Sequence, residues 1–226
     1  MTGYDTVISI NHPVYADRPI GNVRIRAFKY TPDEVRCELC TEYAKKTGCT
    51  ANGCPWLAER VEAGVVDYAE AVEESFRNNP LFTNRLRFLV RRFSGSLWEN
   101  EDHSHRMDYM KAVMGFRRKR DTHKYYAAMY LLTSNRDIFE RTQNCFHRTG
   151  IDFQRARLRG ISPHNYTLLM AAKDLFCGGK GITQEDMADP EVIDSKAFRL
   201  IVNAILLSRF GLAAFSLCET ATHPAR

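Results

Sequence analysis

SKAFRLIVNAILLSRF, residues 195–210, is apolar on nearly every side of a 3.6-residue period. A helix without a polar face has no place on a surface, so this one is expected at the centre of a helical assembly. YYAAMYLL, within residues 121–132, is apolar on most sides and asks for a second central position. Working outward, Ser162-Pro163 opens a helix that stops at Cys177-Gly178-Gly179, and Thr183 with Asp186 starts a short one. Ser134 with Asp137 opens another, through about residue 146. In residues 101–115, Met107, Met110 and Met114 recur at helical spacing, which reads as core filler rather than a ligand set. Further helices are expected over residues 81–93, 67–77 and 55–62.

The front of the chain reads differently. VISI and NVRIRAFKY are rich in β-branched and alternating residues, separated by Pro13, Pro19 and Gly21, as a small hairpin requires. Thr31-Pro32-Asp33-Glu34 then reads as an N-cap, a proline at the first helical position and an acidic first turn. Gly95-Ser96 reads as a hinge. The expected fold is mainly α: a helical bundle with an N-terminal β-hairpin and a small zinc-stapled module. The expected divisions are 1–94 for hairpin, module and first helices, 95–211 for the helical body, and 212–226 for a flexible tail.

The module rests on Cys37, Cys40, Cys49 and Cys54, spaced C-x2-C-x8-C-x4-C. Zinc takes four thiolates tetrahedrally, so its ligands must converge from two backbone segments. Two cysteines on one helical turn and two across a glycine-containing loop meet that requirement. A single redox CxxC leaves Cys49 and Cys54 unexplained, and two disulfides suit a secreted chain. The expected cofactor is a structural Zn2+ with no open position for chemistry. In so small a module, metal binding would supply folding free energy.

The start MTGYDTVISINHPVY lacks a basic stretch followed by an apolar one, so no signal peptide is read, and cytoplasm is the default location. No apolar run is read as reaching the ~20 residues of a membrane span. Among 226 residues the net charge is +5, but it is unevenly placed. Residues 85–159 hold 17 Lys and Arg against 8 Asp and Glu, a balance of +9, while the rest holds 15 against 19, a balance of −4. Such a concentration attracts nucleic acid or an acidic protein surface; the plainer alternative is a solvated face.

Three basic segments carry it. In residues 81–93, Leu86, Leu89, Val90 and Phe93 fall on one side of a helix, with Arg85, Arg87, Arg91, Arg92 and Phe88 on the other. Gly115-Phe116-Arg117-Arg118-Lys119-Arg120 is a basic loop that begins with an aromatic. Arg155, Arg157 and Arg159 alternate. Arginine pairs phosphate bidentately and an aromatic ring offers a stacking surface. These residues are the expected contacts to nucleic acid or to a nucleic-acid-binding protein complex.

No residue set specifies a reaction. Cys145 and Cys177 are possible nucleophiles with His147, His123 or His164 as base, though cysteines in helices are usually buried and inert. His103 and His105, two apart on a helix, diverge. Cys177-Gly178-Gly179-Lys180-Gly181 lacks G-x-x-x-x-G-K-[ST] and follows a helix, so it reads as a helix stop.

EDHSHRMDYMKAVMG, HKYYAAMYLLTSNRDIFERT, GISPHNYTLLMAAKDLF and KAFRLIVNAILLSRFG give residues 98–211 a resemblance to an uncharacterised family of small helical bacterial proteins often carried on mobile elements. CELC through CPWLAERVEAG resembles the cysteine-bearing extension of some members. The resemblance implies a helical fold and a mobile-element setting, with no catalytic residues to carry over. The expected function is a non-enzymatic binding protein, in one version an anti-CRISPR-like inhibitor of a host defence complex. The alternatives are an enzyme acting on nucleic acid or nucleotides, with a site among His103, His123, Cys145 and His164, and a protein-docking adaptor.

Overall fold

A computed structural model describes residues 30–37, 40 and 54–217. The described part is mainly helical. Its elements are α1 (Leu57–Glu62), α2 (Tyr68–Phe76), α3 (Thr83–Arg91), α4 (Glu101–Met114), α5 (His123–Leu132), α6 (Arg136–Thr142), α7 (Pro163–Cys177), α8 (Gln184–Ala188) and α9 (Ser195–Phe210). An isolated β-bridge pairs Phe146 with Ile151. The expected hairpin before Tyr30, and Cys49, lie outside the described residues.

The two runs with no polar face are the two central helices. α5 packs on both α7 and α9, and α7 on α9. Along α9, Leu200, Val202, Ala204, Leu206 and Leu207 are wholly buried, and in α5 so is every residue from Ala127 to Leu132. Each large apolar side chain so placed contributes about 1.5–3 kcal/mol. A turn of 3-10 helix, Gly211–Ser216, prolongs α9 and packs on α1 and α5. The combined stretch Ser195–Ser216 has a mean hydropathy of 1.6 over its most apolar window and is long enough to cross a membrane, unlike the reading above. Most of that window (61%) is buried against the protein itself, as in any core helix.

Helix ends are set by short polar side chains, which satisfy the amides that have no intrahelical partner. Asn100, Thr122, Asn135, Ser162 and Thr183 each accept the amide hydrogen bond three residues on, and Asp67 and Glu70 cap α2 reciprocally. At the other end of α7, Gly178 adopts φ 79°, a left-handed conformation that costs glycine nothing, and its amide closes on the Asp174 carbonyl at 2.8 Å. The Cys177–Gly181 run is that helix stop. Near the front the structure departs from the expected helix after Thr31. Thr31 and Glu34 do form a capping box, but it opens only a 3-10 turn, Pro32–Val35, and Arg36 is already extended.

Asn203 lies at the middle of α9, wholly buried. It accepts from the Tyr68 hydroxyl at 2.8 Å and donates to the Leu97 carbonyl at 3.1 Å and the Tyr130 hydroxyl at 3.3 Å. Tyr130 donates to the same Leu97 carbonyl. Four polar groups that would each be costly to bury alone thus satisfy one another. One buried apolar cluster runs from Leu57 to Leu217 across the Gly95-Ser96 segment.

Candidate nucleic-acid interface

The basic loop is built on the C-terminus of α4. Gly115 ends the helix with φ 58°, where a side chain would be strained, and turns the chain outward. The next four residues, Phe116 to Lys119, are all exposed, the Phe116 ring at 69%. Arg120 then turns back in and is almost completely buried. Its guanidinium donates to the Gly115 carbonyl, to the His147 carbonyl at 3.3 Å and to Asp121 Oδ1 at 2.6 Å. A cation held at the last carbonyls of α4 complements the helix dipole. Asp121 closes the loop by accepting from the Arg117 amide and the Tyr126 hydroxyl, both at 3.1 Å. Burial works to raise the pKa of the Asp121 carboxyl, but these donors together hold it below the usual carboxylate range. The loop is therefore a rigid display: its base is a buried ion pair and its tip is one aromatic ring followed by three cations.

The second and third basic segments are neighbours. Arg120 reaches the His147 carbonyl, the His147 side chain lies 3.8 Å from Asp152, and Asp152 pairs with Arg155 at 3.2 Å. The turn at residues 147–150, closed by the His147 amide on the Gly150 carbonyl, also carries the exposed Arg148. Arg157 and Arg159 are exposed too, on a segment clamped by Arg141. Arg141 donates to the carbonyls of Arg157, Arg159 and Gly160 at 3.2, 2.8 and 3.1 Å, and is itself held by Asp137.

The first segment stands apart. α3 packs on α2 and on the Pro80–Phe82 turn, and among the described residues no hydrogen bond, ion pair or ring contact joins its outer face to the other two. Leu86 and Leu89 are buried, and Val90 and Phe93 pack against the core. Arg87, Phe88, Arg91 and Arg92 face outward, with Arg92 over the Phe88 ring at 5.0 Å. Arg85 differs from its neighbours. It turns inward over the Phe198 ring and donates to the carbonyls of Met187 and Ile193 at 2.7 and 2.6 Å. Together with Arg106, which binds the Thr133 and Ser134 carbonyls, four arginines of the basic region tie down backbone carbonyls. Arg85 and Arg120, expected among the partner contacts, are in that internal group.

Sequence reading gave no weight to Arg148 or to Tyr109 and Val113, which are 58% and 53% exposed on α4. The methionine spacing of α4 drew attention to the opposite face, where Met107 and Met110 are indeed buried. Beneath the basic loop lies a pocket of about 180 Å³ between the end of α4 and the start of α5. A larger cleft, about 300 Å³, opens between α2, α7, α8 and α9. It is largely apolar, and its one carboxylate, Asp174, already accepts the Ile182 amide.

The groups considered for catalysis are dispersed. His103 is buried against the Tyr130 carbonyl. His123 stands against Gly211, where even a Cβ would come within 2.6 Å of its Nε2. Burial pushes the Cys145 thiol up to about 11, with Asp152 raising it further, so little thiolate forms near neutral pH. His164 Nδ1 meets Asp194 Oδ2 at 2.6 Å at the entrance to α9. Among the described residues no hydrogen bond links any two of these four.

Cys37, Cys40 and Cys54 are each half-buried. Among the described residues no three His, Cys, Asp or Glu side chains are gathered as a metal-ligand set. No protein-family model, curated protein or solved structure matches the chain.

Proposed function

We propose that this chain is a non-enzymatic binding protein acting on nucleic acid or a nucleoprotein complex. The observation that carries the proposal is the basic loop. A buried Arg120–Asp121 pair holds Phe116, Arg117, Arg118 and Lys119 out into solvent beside Arg148 and Arg155. A display held at its base loses little entropy on binding, and exposed guanidinium groups suit phosphate. Arg157 and Arg159 extend the surface, and the outer face of α3 (Phe88, Arg91, Arg92) offers a separate one. A host defence complex as the partner is one version, and it draws on the mobile-element resemblance alone. A protein-docking reading draws on Tyr109 and Val113, exposed on the same helix that ends in the loop.

Reversing the charge of Arg117, Arg118 and Lys119 together is expected to abolish nucleic-acid binding in a gel shift over ~50–200 mM salt. Neutralising the three with glutamine instead leaves weaker binding that can be titrated, and if all three contact phosphate the slope of log affinity against log salt falls by up to about 3. Among the described residues these side chains make no hydrogen bond or ion pair, so both variants are expected to fold, which circular dichroism checks. An unchanged slope in the glutamine variant would remove the loop from the interface.

The same proposal keeps a structural zinc on Cys37, Cys40, Cys49 and Cys54, as the spacing of the four thiols suggests. One zinc per chain is expected by elemental analysis, and serine at Cys37 or Cys54 should lose it while α4 to α9 stay folded. Purified protein free of metal and of normal stability would end that part of the reading.

A further inference from the structure

We propose that the basic loop selects single-stranded nucleic acid by seating one unpaired base against Phe116, over the pocket beneath the loop. This rests on the function proposed above and narrows it. The pocket is lined by Lys111, Met114, Phe116, Tyr125, Tyr126 and Met129, and by the paired Arg120 and Asp121. Tyr125 and Met129 are wholly buried, Met114 and Tyr126 are partly so, and Phe116 is exposed, so the pocket's accessible lining is the Phe116 ring with parts of Met114 and Tyr126. At about 180 Å³ it is smaller than the ~300–1,000 Å³ clefts that enclose whole metabolites. One ring system fits where a base pair does not.

Phe116 supplies the selectivity. In a duplex the faces of the bases are covered by their neighbours, so an exposed phenyl ring gains nothing from it. An unstacked base presents a free face, and aromatic side chains take it irrespective of sequence. The backbone of such a strand would then run along Arg117, Arg118 and Lys119, the three exposed residues that follow the ring.

The local carboxylates do not oppose this. Asp108 is matched by Lys111 at 2.9 Å, Asp121 by Arg120 at 2.6 Å and Asp152 by Arg155 at 3.2 Å. The three loop cations are therefore in excess, and a polyanion is the occupant whose charge complements them.

The test is fluorescence anisotropy with a labelled 20-nucleotide single strand and with the same strand annealed to its complement, at fixed low salt. The intact protein is expected to bind the single strand about ten-fold more tightly than the duplex. Phe116→Ala should weaken single-strand binding about ten-fold, leave duplex binding and the salt slope unchanged, and Phe116→Trp should restore it. A ring so exposed is not part of the core, and circular dichroism checks that the variants fold. Duplex binding as tight as single-strand binding, or an Phe116→Ala variant that binds the single strand normally, overturns the base-seating inference. If charge reversal at Arg117, Arg118 and Lys119 still abolishes binding in that case, the parent reading stands without it. No binding of either probe at low salt overturns both, and leaves the loop as a surface for an acidic protein.

Discussion

Replacing Arg120 by alanine is expected to cost about 3 kcal/mol of folding stability, the low end for breaking a buried ion pair. The side chain is 3% exposed and its guanidinium serves Gly115, His147 and Asp121 at once. Its removal leaves Asp121 buried without its cation and two carbonyls without a donor. The Arg117 amide and the Tyr126 hydroxyl still reach Asp121, which keeps the loss from being larger. Lysine is not expected to rescue the variant, because one ammonium cannot reproduce a fork spanning three acceptors. The loop should also lose its fixed shape, so nucleic-acid affinity falls although no exposed cation is removed. Urea denaturation reads the first effect and the gel shift the second. A variant within about 0.5 kcal/mol of the parent would show that the pair does not anchor the loop.

Mild acid should destabilise the protein through His103, by about 2 kcal/mol between pH 7 and pH 5. The ring is wholly buried, edge-on to Trp98, and both nitrogens are engaged. Nδ1 accepts the Glu99 amide at 3.2 Å, so Nε2 carries the proton and donates to the Tyr130 carbonyl at 2.8 Å. A second proton, on Nδ1, would point at an amide hydrogen. Burial pushes the pKa from its ordinary 6.5 down to about 3, the Tyr130 carbonyl pulls the other way, and the nearby Arg106 guanidinium lowers it further. The folded value lies below the unfolded one, so the folded protein refuses a proton that the unfolded chain accepts. The stabilisation is complete above pH 6.5 and is lost toward pH 3, at about 1.4 kcal/mol per pH unit. Carboxylates change little above pH 5, so the slope in that window belongs to histidine. Comparison with His103→Gln by urea denaturation at pH 7 and pH 5 isolates this group. Equal pH dependence in the two proteins, or a folded-state His103 resonance that titrates near pH 6.5, would defeat the expectation.

The centre of the fold was legible because it depends on local pattern. A helix that is apolar all round can only be buried, and residues 127–132 and most of 197–207 are. Helix ends were legible for the same reason: Ser162, Thr183 and Gly178 act within a few residues of their own position. The arginines were not. Arg85 finds its acceptors at Met187 and Ile193, more than a hundred residues away, while Arg87, two positions on, faces solvent. Nothing in the run of charges separates the two, since their fates depend on which distant carbonyls lack a donor. Arg120 and Lys119 pose the same problem one residue apart. The exposed ring of Phe116 was legible as a loop aromatic, but the pocket under it arises only when α4 and α5 meet. The helix expected to carry Cys37 and Cys40 breaks at Arg36 after one 3-10 turn, because a cap and a proline start a helix but do not sustain it.

Asn203 ties α9 to Tyr68 at the front of the chain, to Leu97 just past Gly95 and to Tyr130 in α5. Opening any one of these contacts strands the others in an apolar surround, so they are kept or given up as a set. From Leu57 to Leu217 the chain should therefore melt in one cooperative step, and neither side of a cut at Gly95 would be a self-sufficient folding unit.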